Sequence, residues 1–509
     1  MQFNSVEFLM FYAMFFIVYW ALASRLKLQN CLLLIGSYIF YGWWDWRFLG
    51  LLILATLTTW GTALLSLKSH ARVWIVANIV FNIAILVVFK YLGFFGDGLM
   101  RLFSLFGWNI DSFTIDILLP IGISFYTFQA IGYSIDVYRG EIAPTRSLLV
   151  FATYLSFFPQ LLAGPIERGR QLLPQILRYR KWDYQLAVDG IRETLWGLFK
   201  KIAVADMCGV YIDSVYGNSE AGALKLSIAS LLFVLQIYCD FSGYCNMARG
   251  LAAMLGVRLM VNFRYPLFSR SPADFWRRWH ISLMTWFRDY VYIPLGGSRR
   301  GRYRTYINLL IVFMLSGLWH GASFNYLIWG AVWGIVMVIA RALGQKKYYF
   351  KSVPSNSPSD ILRIMLMGYL LTLTFIVFRF NDIGMALMVI ARTSWLTAMI
   401  GAFTFAILMI SRRIGPRVFG ILGFTAFVSA IVIWFAVSPG QALACVVIGI
   451  FPASIVAMLA GEWWGRRRAF ALERMPLNST VIRLMAYWSI LLAILFSGHT
   501  GGNFIYYQF

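Results

Sequence analysis

The sequence has 509 residues, of which 60% are hydrophobic and 13% are charged, and its mean hydropathy is +0.71. Soluble domains carry about 25% charged residues, so this composition excludes a soluble globular protein and indicates an integral membrane protein. The net charge of +23 does not indicate nucleic-acid binding, because the basic residues cluster in short loops between apolar segments, as they do in membrane proteins of any function. The cysteines lack CxxC spacing, which argues against a disulfide scaffold or a zinc site.

Apolar segments long enough to cross a bilayer recur along the whole chain, from residues 6–24 to residues 481–497. A crossing helix needs about 20 such residues, and we expect about 11–14 transmembrane helices. The first segment carries Glu7 instead of the positive charge that opens a signal peptide, so we interpret it as a retained first span. The sequence predicts a single all-α polytopic membrane domain over residues 1–509.

Basic loops follow the first, third and fifth apolar segments. They contain Arg25 and Lys27, Lys68 and Arg72, and Arg139 and Arg146. Cytoplasmic loops are enriched in lysine and arginine, so this alternation places the N-terminus outside the cytoplasm. The later basic loops 344–351, 411–417 and 465–474 keep the alternation with fourteen crossings, so we expect the C-terminus outside as well. The apolar segment 147–164 has basic residues on both sides, and Pro159, Gly164 and Pro165 lie in or beside it. These features predict a re-entrant element, unless the count of spans is off by one.

The segment 262–306 combines arginines with many aromatic residues. Ser271 and Pro272 predict the start of a helix and Pro294 its end. In a continuous helix, one face would carry Phe275, Trp279, Leu283 and Trp286. Two interpretations are open and compatible: an interfacial amphipathic helix anchored by its tryptophans, or an anion site where guanidinium groups bind the phosphates of a nucleotide-bearing donor.

One of the four histidines, His320, lies within the apolar stretch "SGLWHGASFNYLIWG". An ionisable residue at membrane depth indicates function by default, and the alternative is an interhelical hydrogen bond contributing about 1 kcal/mol. Small residues surround the histidine and would let another backbone or a ligand approach closely: Ser316, Gly317, Gly321, Ala322 and Ser323. These neighbours favour the functional interpretation.

Polar residues also interrupt the apolar stretch "QIYCDFSGYCNMARG", namely Gln236, Asp240, Asn246 and Arg249. A carboxylate at membrane depth needs a partner, and we favour a structural salt bridge between Asp240 and an arginine over direct catalysis. Lys200, Lys201 and Asp206 lie in another apolar stretch. They either pair with one another or reach a cavity.

Several motifs follow one another along the chain: "LLPIGISFYTFQAIGYSIDVYRG", "FFPQLLAGPIERGR", "YCDFSGYCNMARGLAAMLG", "NFRYPLFSRSPADFWRRWHISLMTWFRDYVYIPLGG", "GLWHGASFNYLIWG" and a final "FIYYQF". In this order they resemble the membrane-bound O-acyltransferases. Specifically, they resemble the bacterial branch typified by the alginate O-acetyltransferase membrane subunit and its peptidoglycan O-acetyltransferase relative. The resemblance covers essentially the whole chain.

The resemblance implies a multi-helix bundle with re-entrant and interfacial helices around a central pore. The core of this bundle would span about residues 115–380 and would be followed by C-terminal helices over residues 394–497. His320 of the W-H-G motif would be catalytic, and His280 of the R-R-W-H motif would occupy the second active-site position. Arg277, Arg278 and Arg288 would bind the donor phosphates, and Trp319, Asp240, Gln236 and Asn246 would be polar residues of the pore. "GYCNMA" has Cys245-Asn246 where relatives commonly have Ser-Asp, which leaves Asp240 as the acid there.

The implied activity is transfer of an acetyl group from cytosolic acetyl-CoA, without a metal, to hydroxyls of an extracytoplasmic polysaccharide. Histidine, with an ordinary pKa of about 6.5, suits the base that such a transfer needs, and an acyl-histidine intermediate is also open. The resemblance places the chain among the lipids of a bacterial inner membrane, with both termini periplasmic. The resemblance also implies a periplasmic acetyltransferase partner of the SGNH-hydrolase type, and the chain has no GxSxG motif of its own. The alternatives are a multi-span transporter and an acyltransferase acting on a protein or a lipid.

Overall fold

The computed structural model describes residues 1–106, 119–218, 220–344, 354, 357–380, 382–393, 439–473 and 480–497. These ranges form helices and contain no β-strand, which confirms the all-α prediction. The predicted basic loops 344–351 and 411–417 lie wholly or mostly outside the described residues, as do the final motif 504–509 and much of the predicted C-terminal helical region.

The N-terminal helices are α1 (Val6–Ala21), α2 (Leu26–Gly42), α3 (Leu49–Leu65), α4 (Ala71–Leu86) and α5 (Leu92–Leu105). A 3-10 turn, Trp46–Phe48, precedes α3, and a π-helical segment, Val87–Tyr91, joins α4 to α5. The first helix is part of the bundle, because the hydroxyls of Tyr12 and Tyr19 donate to the backbone carbonyls of Leu251 and Leu255, each at 2.8 Å.

A series of short helices forms the region that the sequence predicts to be re-entrant. After α6 (Ile123–Tyr138) come α7 (Leu148–Ser156), α8 (Phe158–Leu161) and α9 (Gly169–Leu177). The nine residues of α7 extend over about 14 Å, whereas the hydrocarbon core is about 30 Å thick. The chain bends at Phe157 (φ −52°, ψ 108°), and residues 150–169 are buried. The segment therefore enters the bundle without crossing it, as a re-entrant element does.

The longest described helix is α12 (Ala223–Met254), which packs along α10 (Tyr184–Leu198). A second π-helical segment, Phe199–Asp206, leads from α10 into α11 (Met207–Tyr216). The two long helices touch backbone to backbone, because a methyl group on Gly197 would lie 2.6 Å from the carbonyl oxygen of Gly243. Small residues at crossing points are the usual way for membrane helices to pack closely.

The arginine- and aromatic-rich segment is not the continuous amphipathic helix predicted from its sequence. It forms α13 (Pro272–Trp276) and α14 (Ile281–Phe287), followed by a third π-helical segment, Arg288–Tyr292. The predicted start is correct, because the Ser271 hydroxyl accepts the Asp274 backbone N–H at 3.2 Å. Trp279 and Trp286 are buried, so the prediction that they anchor the protein at the lipid interface is wrong.

The remaining helices are α15 (Arg302–His320), α16 (Phe324–Ala342), α17 (Pro358–Arg379), α18 (Ile383–Thr393), α19 (Pro439–Gly465) and α20 (Thr480–Ser497). Among the described residues, five helical stretches are long and apolar enough to cross a membrane: Trp46–Leu65, Ala71–Gly96, Ala223–Met254, Phe324–Ala342 and Pro358–Arg379. Other apolar helices are shorter, including Val6–Ala21. The polytopic architecture is therefore confirmed, and the total of about 11–14 spans stays a prediction.

Candidate active site

His320 is the last residue of α15, and the extended backbone of Gly321 (φ −169°, ψ 157°) turns the chain towards α16. The two helices pack closely at this turn, because a methyl group on Gly317 would lie 2.1 Å from the carbonyl oxygen of Tyr326. The small residues noted in the sequence thus bring two backbones together. They hold the end of α15, and with it His320, against α16.

A small cavity lies beside this helix end, and the centres of water-sized molecules can occupy about 20 Å³ of it. His320 and Trp319 form one wall, and the residues from Leu119 to Phe125, at the start of α6, form another. The side chain of Lys90 completes the lining. The structure thus brings Trp319 and His320 of the predicted set to one cavity.

Aromatic rings surround the imidazole of His320. Its ring centroid lies 5.0 Å from that of Trp319, 5.4 Å from Trp329 and 5.3 Å from Phe378, all in edge-on contacts. Trp329 and Phe378 belong to α16 and α17, so three helices enclose the imidazole. His320 is 3% exposed and lines the cavity.

His280 lies at the break between α13 and α14. Its ring centroid is 5.5 Å from that of Trp319, so both predicted histidines contact the same indole. Its backbone is left-handed (φ 44°, ψ 52°), a conformation that is uncommon for residues other than glycine and that clusters at functional sites. Neither ring nitrogen has a hydrogen-bond partner among the described residues. His280 itself does not line the cavity.

Lys90 is a cavity residue that the sequence analysis missed. Its Nζ donates to the backbone carbonyls of Trp319 at 2.6 Å and His320 at 3.3 Å, and it lies 3.5 Å from the Ser124 hydroxyl. The rule that singled out His320, an ionisable residue inside an apolar segment, would also have identified Lys90 in "IAILVVFKYLGFF".

Asp240 is paired with a lysine, whereas we expected an arginine. The Nζ of Lys201 lies 2.7 Å from a carboxylate oxygen of Asp240 and 2.6 Å from one of Asp206. All three side chains are buried at the contact between α12 and the π-helical segment Phe199–Asp206. The two lysines of this stretch have different partners, since Lys200 donates to Ser242 at 2.8 Å and lies 3.5 Å from Glu462 of α19.

The other polar residues predicted for the pore also lie at helix contacts. The amide of Asn246 donates to Glu193 at 2.9 Å, and Arg249 pairs with the same carboxylate. Gln236 packs against Gly209 of α11. The cavity beside His320 is lined by other residues, so Asp240, Gln236 and Asn246 are separate from it.

The three predicted donor-binding arginines differ in their surroundings. Arg277 is exposed. Arg278 pairs with Asp274 at 2.7 Å, and Arg288 pairs with Asp289 at 2.7 Å. None of the three lines the cavity beside His320, so a donor bound by them would reach the histidines from another direction.

Comparison with known proteins agrees with this architecture. The sequence profile of the membrane-bound O-acyltransferase (MBOAT) family matches residues 141–352. A probable alginate O-acetylase of Pseudomonas putida is 42% identical over 351 residues, which cover 68% of this chain and 71% of that protein. The chain belongs to the membrane-bound O-acyltransferase family.

A second probable alginate O-acetylase, from Pseudomonas syringae pv. tomato, is 39% identical over 76% of this chain and 74% of its own length. The peptidoglycan O-acetyltransferase of Helicobacter pylori is 33% identical over 70% of this chain and 72% of its own length.

Family membership confirms the resemblance read from the motifs. The protein is a multi-pass membrane O-acyltransferase, which excludes the transporter alternative. An O-acyltransferase takes an acyl group from a donor and passes it to an oxygen atom, so the cavity beside His320 is the candidate place for that transfer.

Proposed function

We propose that this O-acyltransferase moves an acetyl group from cytosolic acetyl-CoA to hydroxyls of an extracytoplasmic polysaccharide. The observation that carries the proposal is the position of His320. Its imidazole lies at a helix end, is enclosed by aromatic rings and lines the cavity. The relatives support the acyl group and the acceptor class, since their names specify O-acetylation of alginate and of peptidoglycan.

In the proposed reaction, His320 accepts the proton of the acceptor hydroxyl while that oxygen attacks the thioester carbonyl. The new C–O bond forms, the C–S bond breaks, and CoA leaves as a thiolate that takes up a proton. A positioned base accelerates such a step about 100- to 10,000-fold. The developing oxyanion needs hydrogen-bond donors, and we assign that role to His280.

The two substrates would approach from different directions, because His280 and the three arginines do not line the cavity beside His320. The cavity is lined by residues 119–125, at the start of α6, whereas the predicted cytoplasmic loop with Arg139 and Arg146 follows the end of α6. The cavity therefore opens on the extracytoplasmic side in the proposed orientation, where the acceptor is found. The donor would enter from the cytoplasm on the His280 side, with its phosphates on Arg277, Arg278 and Arg288.

The remaining parts of the proposal concern the setting. We place the chain in a bacterial inner membrane with both termini periplasmic. We place its catalytic core at about residues 115–380, a range that contains the family match to residues 141–352. In this scheme the first acceptor hydroxyl belongs to a periplasmic partner of the SGNH-hydrolase type, which then passes the acetyl group to a hydroxyl of the glycan. The partner is proposed from the resemblance of the motifs to the bacterial branch of the family, and the chain has no GxSxG motif of its own.

The test uses purified protein in liposomes supplied with radiolabelled acetyl-CoA. Wild-type protein should release the free thiol of CoA when a hydroxyl acceptor is present. His320→Asn should lose nearly all of this activity, because an amide cannot act as the base. The matched control is His70→Asn at an exposed histidine, whose left-handed backbone (φ 51°) asparagine tolerates.

The outcomes of this test distinguish a catalytic role of His320 from a structural one, and they also test the identity of the donor. Loss of activity in His320→Asn, with normal activity in His70→Asn, supports the assignment of the base. Equal turnover in wild type and His320→Asn would mean that His320 is a packed structural residue. Absence of thiol release in the wild type, with acceptor and periplasmic extract supplied, would refute the assignment of acetyl-CoA as donor.

A further inference from the structure

The carbonyl end of α15 is held by two adjacent residues of a distant segment. The last backbone carbonyls of a helix have no partner within the helix and need donors from elsewhere. The Tyr91 hydroxyl donates to the carbonyl of Leu318 at 2.7 Å. The Lys90 Nζ donates to the next two carbonyls, at 2.6 and 3.3 Å. Three successive carbonyls, ending with that of His320, are thus bound by one pair of residues.

The charge of Lys90 suits this position. The C-terminal end of a helix carries partial negative charge, and a cation there is favourable. The ammonium also lies 5.8 Å from the ring centroid of Trp319, within the range of a cation–π contact. Among the described residues no carboxylate is paired with Lys90. Its ammonium instead contacts these two carbonyls, the Trp319 ring and the Ser124 hydroxyl.

A lysine inside a membrane-spanning helix is costly and is retained where it has a function. Lys90 lies within Ala71–Gly96, one of the helices long and apolar enough to cross the membrane. Its ammonium reaches the helix end from which the candidate base projects. A displacement of about 1 Å at a reacting group can lower a rate about 100-fold, so an anchored helix end has a direct use in the reaction.

We propose that Lys90 and Tyr91 are positioning residues that hold the carbonyl end of α15 and thereby fix His320 at the cavity wall. This inference rests on the proposed function of His320. It adds that the orientation of the base is set by the π-helical segment Val87–Tyr91, through the backbone carbonyls at the end of α15.

The experiment compares Lys90→Met and Tyr91→Phe in liposomes, with Lys90→Arg as the conservative variant. The matched control is Tyr12→Phe, which also removes a hydroxyl bound to a backbone carbonyl of another helix, at 2.8 Å, but away from the cavity. Two quantities are measured: kcat and KM for acetyl-CoA, and deuterium uptake by the peptide spanning residues 315–322, which reports the opening of the last turn of α15 without any need for turnover.

Lys90→Met should lower kcat about 10- to 100-fold with KM changed less than about twofold, and should speed exchange in the last turn. Tyr91→Phe, which keeps the charge and loses one hydrogen bond, should lower kcat about fivefold and speed exchange to a smaller extent. Lys90→Arg should keep most of the wild-type kcat and most of the slow exchange in the last turn of α15, because a guanidinium can donate to the same carbonyls. Tyr12→Phe should leave kcat and the exchange of this peptide unchanged.

Unchanged exchange in Tyr91→Phe and Lys90→Met would overturn the positioning role. A fall in kcat of Lys90→Met without faster exchange would also overturn the positioning role, because it would indicate that Lys90 acts on the substrate directly. If Lys90→Met does not fold, Tyr91→Phe decides the question. If the wild type turns over no acetyl-CoA, the proposed function fails, and the exchange measurement still decides whether the pair holds the helix end.

Discussion

Lys201 lies between the carboxylates of Asp206 and Asp240, at 2.6 and 2.7 Å. The side chains are 1%, 7% and 2% exposed, respectively. Replacing Lys201 by methionine keeps the approximate length and apolar stem of the side chain but removes the cation. The two carboxylates would then face each other's charge inside the bundle, away from water.

The expected loss of stability follows from burial. Removing one partner of a buried ion pair costs about 3–5 kcal/mol, because the other charge is left uncompensated. Two hydrogen bonds within a membrane protein, at about 0.6 kcal/mol each, would account for only about 1 kcal/mol. We therefore expect Lys201→Met to lower the free energy of unfolding by about 3–5 kcal/mol.

The assay is equilibrium unfolding in mixed micelles, with the denaturing detergent titrated. The matched control is Arg379→Met, which removes a cation from an ion pair of similar length, 2.9 Å to Asp213, whose side chains are 37% and 68% exposed. Exposed pairs contribute about 0–1 kcal/mol. Adding Asp240→Asn to Lys201→Met should recover part of the loss, since one of the uncompensated charges is removed.

A loss below about 1 kcal/mol for Lys201→Met, equal to that of the control, would refute the reasoning. It would mean that the carboxylates become neutral or hydrated without the lysine. In contrast, a large loss in Lys201→Met, together with normal turnover of folded Asp240→Asn, would establish Asp240 as a structural residue.

Two further predictions concern the site. Gly317→Ala should lower the free energy of unfolding by about 1–3 kcal/mol and reduce turnover, because the added methyl group would lie 2.1 Å from the Tyr326 carbonyl and push α15 from α16. Its control is Gly368→Ala, where a methyl group meets nothing within 4 Å, and equal effects of the two would contradict the close packing. Arg277→Ala should raise KM for acetyl-CoA several-fold and leave kcat unchanged, whereas Lys27→Ala, at another exposed cation, should change neither. An unchanged KM would remove Arg277 from the donor site.

The main features of the site could be predicted from local sequence. The apolar composition and the spacing of basic loops depend only on the bilayer, and His320 is conspicuous because ionisable residues are rare in such segments. The requirement that Asp240 have a partner also follows from burial alone. The identity of that partner does not, because Lys201 is 39 residues away and reaches Asp240 only through the packing of two helices.

Other features depend on tertiary contacts that no local pattern records. The break at His280 occurs within "RRWHIS", without glycine or proline, where periodicity favours a continuous helix. Burial of the flanking aromatic residues in the bundle overrides that preference. The contact of Lys90 with the end of α15 joins residues 229 positions apart, and its acceptors are backbone carbonyls, which every residue possesses and no sequence motif identifies.

The three π-helical segments, Val87–Tyr91, Phe199–Asp206 and Arg288–Tyr292, have a consequence for how such a chain can change during evolution. A π-helical turn corresponds to one residue inserted into an α-helix, and each added residue rotates the downstream side chains by about 100°. An insertion or deletion of this kind would alter which residues face the bundle without changing any side chain. Related chains that differ by a single-residue gap at one of these segments should therefore differ in the polar residues that the following turns direct inward, and such gaps mark where new specificity can arise in a helical membrane enzyme.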